Sequence, residues 1–84
     1  MWYYYFGSDI VPNVGKIIDK MKRQPYGIRP TEVEKVLIEY GYVLRNQEGS
    51  HKQYKNKETG DMITIPEKNP VKAVYIKDII KRII

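Results

Sequence analysis

The only histidine in this chain, His51, closes the run Gly49-Ser50-His51, with Arg45 upstream and Lys52 and Lys55 downstream. Imidazole, with an unperturbed pKa of about 6.5, both takes and gives a proton near neutral pH. The neighbouring cations suit phosphate: a guanidinium binds two oxygens at once, whereas an ammonium acts as a point charge. A single proton carrier among cations points to chemistry on a polyanion. Gly49 supplies a tight turn, and the Ser50 hydroxyl either donates to a phosphate oxygen or bonds nearby backbone. A solitary exposed histidine in a basic domain is usually incidental, so the elements that carry it must decide.

Those elements come from one small domain, because 84 residues support a modest core and no large cofactor-binding fold. A formal charge of +5 and a pI near 9.4 favour an acidic partner. Nucleic acid ranks ahead of membrane, since no long apolar run exists and the basic residues are dispersed. The chain contains no cysteine, which removes disulfides, thiolate-bound zinc and thiol nucleophiles together. One histidine with scattered carboxylates makes no transition-metal cluster, so catalysis is expected to need neither metal nor cofactor.

The hydrophobic periods predict three helices and three strands. Val14, Ile17, Ile18 and Met21 follow helical spacing, capped by Asn13 and ended near Gln24 by Pro25. Pro25 to Pro30 reads as a connector. A second helix is expected after Pro30, with Thr31-Glu32-Val33-Glu34 as a capping box of hydroxyl and carboxylate. Val33, Val36, Leu37 and Tyr40 form its apolar stripe, and Gly41 stops it. Strands are expected over Tyr42 to Arg45, His51 to Asn56 and Met62 to Ile65, with turns at residues 46–49 and 57–61. Alternation places His51, Gln53 and Lys55 on one face of the second strand and Lys52, Tyr54 and Asn56 on the other, unless a bulge near Gly49 shifts the phase. A last helix carries Ile76, Ile79, Ile80 and Ile83. The expected fold is α+β, order α-α-β-β-β-α, with the helices on one face of a three-stranded antiparallel sheet.

Gly41-Tyr42, Gly49-Ser50-His51, the run Ile63-Thr64-Ile65-Pro66 and the closing helix together resemble the HicA family of toxin endoribonucleases. The resemblance spans about Thr31 to Ile84. It implies a fold like the double-stranded-RNA-binding domain, with residues 31–84 as the RNA-binding and endoribonuclease domain and residues 13–30 as an additional helix and proline connector. Residues 1–12 form an aromatic tail, Trp2-Tyr3-Tyr4-Tyr5-Phe6, too short and too poor in basic residues for a secretory signal. The tail reads as structural rather than as a stacking platform for bases, and a start codon assigned too early, with Val14 as the initiator, would account for it.

The activity implied by the resemblance is metal-independent cleavage of messenger RNA in the cytoplasm. RNA brings its own nucleophile, the 2′-hydroxyl, so such an enzyme needs a base, a cation for the phosphorane charge and a proton for the departing 5′-oxygen. His51 is the expected catalytic residue; Ser50, Lys52, Lys55, Arg45 and Gly49 are the expected substrate-binding set. Glu48, Lys52 or water could complete the acid–base pair. RNA and a HicB-like antitoxin are the implied partners, membrane is not, and homo-oligomerisation stays open. The alternatives are a non-catalytic RNA-binding module of the same fold and a protein-interaction domain with incidental charge.

Overall fold

A computed structural model describes residues 13–84; the expected aromatic tail, residues 1–12, lies outside the described residues. The elements run α1 (Val14–Arg23), α2 (Pro30–Glu39), β1 (Tyr42–Glu48), β2 (His51–Asn56), β3 (Met62–Pro66) and α3 (Ala73–Ile83). The architecture is the expected α+β arrangement, and the strands form one antiparallel meander in the order β1-β2-β3. No helix among the described residues is long and apolar enough to cross a membrane.

Asn13 caps α1 by accepting a hydrogen bond from the Lys16 amide at 2.9 Å. The capping of α2 differs from the expectation. Pro30 is accommodated at the first helical position, where its missing amide would have been unpaired in any case and its fixed φ suits the helix. That moves the N-cap back to Arg29 and leaves Thr31 inside the first turn. Glu32, not Glu34, then reaches back to accept the Arg29 amide at 2.9 Å. The Glu32 side chain is only 4% exposed, and it also receives Lys20 of α1 at 3.4 Å and the Arg29 guanidinium at 3.5 Å. One carboxylate therefore starts α2 and ties it to α1.

All three helices and the inner face of the sheet share one core. Ile17 and Met21 of α1, Val33, Val36 and Leu37 of α2, Tyr42, Tyr54, Ile63 and Ile65 of the sheet, and Ile76 and Ile79 of α3 are each at most 4% exposed. Residues 13–30 thus contribute directly to the core, through Ile28 as well. The Val71 amide donates to the Ile28 carbonyl at 2.8 Å, which seats the lead-in to α3 against the α1–α2 connector. Burial pushes the Tyr54 hydroxyl up to about 12, with Glu34 and Glu67 adding to the effect, in keeping with a core residue.

At the opposite end of the sheet from the β1–β2 turn, Gly41 adopts φ +92°, and its carbonyl accepts from the Lys57 amide at 2.9 Å. Buried Asn56 donates to the Tyr40 carbonyl at 3.0 Å and accepts from the amides of Glu58 and Thr59. The Tyr42 hydroxyl donates to Asp61 at 2.6 Å, and Arg82 of α3 reaches both Asp61 oxygens, at 2.8 and 2.7 Å. Tyr42 first and then Arg82 hold the Asp61 carboxyl below its ordinary value. These bonds lock α3 onto the β2–β3 end of the sheet.

Burial alone would raise the Glu32 carboxyl, but the Arg29 amide and the charges of Lys20 and Arg29 outweigh it and hold the group below its usual 4.5. A depressed folded-state pKa stabilises the protein above the unfolded value, and that contribution is lost as pH falls through the folded value. Glu32→Gln should therefore lower stability at pH 7 by about 1.5–3 kcal/mol, the range for hydrogen bonds to charged groups. Urea melts of the two proteins should converge as pH drops below 4.5; an unchanged gap in acid contradicts the assignment.

Candidate active site

Gly49 and Ser50 alone connect β1 to β2, so Glu48 pairs directly with His51. Gly49 sits at φ +59°, a conformation that costs most side chains but not glycine. The tightness of this turn explains why β1 runs to Glu48 instead of stopping at Arg45. Asn46, Gln47 and Glu48 look turn-like in composition, yet they pair with Gln53, Lys52 and His51. Cross-strand pairing overrides their weak local preference.

Register assigns every site residue to a face, since directly paired residues share one. The inner, helix-covered face holds the pairs Gln47 with Lys52, Leu44 with Tyr54 and Tyr42 with Asn56. The open face carries three rows: Glu48, His51 and Pro66; Asn46, Gln53 and Thr64; Val43, Lys55 and Met62. The ladder is interrupted between Leu44 and Asn46, so Arg45 is an extra residue there. Its guanidinium crosses the open face to the Met62 sulfur at 3.8 Å. His51 is exposed at one end of this face, and no hydrogen bond among the described residues engages its imidazole. Lys55 and Arg45 share its face but lie at the other end, Lys55 four strand residues away, about 13 Å.

Lys52 is separated from that group. It belongs to the inner face, its side chain is 19% exposed, and its ammonium lies 3.7 Å from Glu67. Ser50 is exposed at the tip of the turn, where its carbonyl accepts the Glu67 amide. Gln47 donates to the Gly49 carbonyl at 3.3 Å and to the Glu67 carboxylate at 3.1 Å. Glu67, just past β3, thus grips the turn through its amide and both carboxylate oxygens. Nothing in the local sequence marks Glu67 or Gln47 for this, because the residues that meet here come from separate strands. Asn46, on the open face opposite Gln53, is likewise hidden in sequence by its turn-like surroundings. Among the described residues, no group of three or more histidine, cysteine or acidic side chains is arranged to hold a metal ion.

A family model described as the HicA toxin of bacterial toxin–antitoxin systems matches residues 30–83. The chain belongs to the HicA toxin family. Searches of curated proteins and of solved structures found no match. The HicA match runs from the first residue of α2 to the end of α3 and includes the hairpin with His51, whereas α1 precedes it. Membership in the HicA family implies an antitoxin partner.

The hairpin gives two expectations for this HicA chain. No atom lies within 4 Å of a Cβ built on Gly49, so Gly49→Ala should cost only the backbone strain, about 1–2 kcal/mol, and Gly49→Asn less. His51→Ala should leave thermal unfolding within about 0.5 kcal/mol of the parent, as for an exposed residue outside caps and core. A large loss of melting temperature in His51→Ala would make the histidine a structural residue.

Proposed function

We propose that this HicA-family chain is an endoribonuclease that cleaves messenger RNA without a metal ion, with His51 as the general base. The observation that carries the reading is the exposed imidazole on the helix-free face of the sheet, at the tip of a turn held by Glu67. In the proposed step, an imidazole nitrogen takes the proton of a ribose 2′-hydroxyl, and that oxygen attacks the adjacent phosphorus. The bond to the 5′-oxygen breaks and the leaving oxygen takes a proton from water or, after reversal of roles, from the imidazolium. The products are a 2′,3′-cyclic phosphate and a 5′-hydroxyl end.

The exposed turn at Gly49 and Ser50 offers donors beside the reacting phosphate, while Arg45 and Lys55 are spaced to meet neighbouring phosphates along the strand. Lys52 reaches phosphate only by releasing Glu67, so its part is to hold the hairpin. Glu48, opposite His51, is the carboxylate best placed to orient the imidazole. A single general base supplies only about 10²- to 10⁴-fold acceleration, which makes a slow enzyme that depends on binding RNA well. A HicB-like antitoxin would silence it by covering the open face and its cations.

Cleavage of a long RNA in excess chelator tests the reading. The expected result is strand scission by the parent protein and loss of scission with retained RNA binding in His51→Ala. Intact RNA with both proteins, despite salt-sensitive binding, would instead identify a non-catalytic RNA-binding module.

A further inference from the structure

A cleft of about 490 Å³ opens between the C-terminal turn of α1 and the middle of α3. It lies in the helical layer, on the other side of the sheet from His51. Buried Met21 and half-buried Ile80 lie at its base, Pro25 and Tyr26 flank it, and Lys22, Arg23 and Lys77 supply its charge. Among the described residues none of these three cations has an ion-pair partner, whereas Lys20, Arg29, Lys52 and Arg82 are all paired. The acids of the same two helices, Asp19 and Asp78, do not line the cleft, and Asp78 is taken by Arg82 at 3.1 Å. Tyr26, part of the cleft lining, is 63% exposed.

We propose that this cleft is a second RNA subsite, holding a single-stranded segment of the bound RNA away from the cleaved phosphate. Lys22, Arg23 and Lys77 would meet successive phosphates, and one base would stack on Tyr26. Cations along an open groove beside an exposed aromatic ring are the two components by which single strands are bound without regard to sequence. The exposed ring favours RNA over an acidic polypeptide, which would match the charge but leave the ring without a stacking partner. Five of the seven lining residues precede residue 30, where the family match begins, so the subsite is a property of this chain's α1 and connector rather than of the matched region. The identity of the ligand rests on the RNA-cleavage reading above; the location of the subsite does not.

The test uses the full-length His51→Ala protein, to prevent cleavage, and a labelled oligouridylate of about 16 nucleotides, followed by fluorescence anisotropy across a salt series. Lys22→Gln with Lys77→Gln should flatten the slope of log affinity against log salt by about 1.4, that is about 0.7 for each single-strand phosphate no longer neutralised. Tyr26→Ala should weaken binding about 5- to 150-fold, and Tyr26→Phe, which keeps the ring, should bind like the parent. Parental slope and affinity in the groove variants, alongside weakened binding in Arg45→Gln with Lys55→Gln, overturns the subsite and leaves the RNA reading intact. Failure of the parent to bind RNA at all removes both. Displacement of RNA from the groove by an equal length of polyglutamate at similar concentration would reassign the cleft to an acidic protein segment and overturn the proposal.

Discussion

The phase of the β1–β2 hairpin is the constraint on which the site depends. Side chains alternate faces with a period of two, so a slip of one residue would turn His51 into the helical layer and Lys52 outward. Three features hold the phase: a two-residue turn at Gly49 and Ser50, the pairing of Tyr54 with Ile63 and of Lys52 with Ile65 across β2–β3, and the grip of Glu67 on the turn. The extra residue at Arg45 relaxes the ladder once and sends a guanidinium across the open face. The core stabilises this arrangement because Tyr54, Ile63 and Ile65 can be buried together only in this register.

The helical layer serves the sheet in a second way. Glu32 starts α2, binds α1 and lies buried, so loss of its charge would disturb both helices at once. At the other end, Asp61 joins β1 through Tyr42 and α3 through Arg82. The two carboxylates clamp opposite regions of a small domain whose apolar core alone is modest. The sheet face away from the helices is thereby left open and polar, with Arg45 and Lys55 at one end and the imidazole at the other.

This division of labour agrees with membership in the HicA toxin family. The matched region, α2 to α3, contains the hairpin and the sheet, while α1 is attached through Ile17, Met21 and the Lys20 to Glu32 ion pair. An element packed this closely brings its own surface, and in this chain that surface is basic and is followed by a connector that carries Tyr26.

Much of this molecule is legible in its sequence. Asn13, Pro25, Gly41 and the apolar spacings set the helices, and the alternation from His51 to Asn56 assigns both faces of β2 correctly, because these signals act within a few residues of one another. The start of α2 is ambiguous in sequence because Pro30 can be the residue before the helix or the first one inside it, and only the structure, with Glu32 accepting the Arg29 amide and pairing with Lys20, selects Glu32 over Glu34. The extension of β1 through Asn46, Gln47 and Glu48 is hidden because the gain comes from a partner strand, not from local preference. Strand alternation already turns Lys52 away from His51, but its ion pair with Glu67 is a tertiary contact that the sequence does not show. The order of elements and the place of the single histidine beside a glycine turn are thus written in the chain by local chemistry. The company that histidine keeps is decided by strand register and by contacts between residues far apart in sequence, which no local pattern encodes.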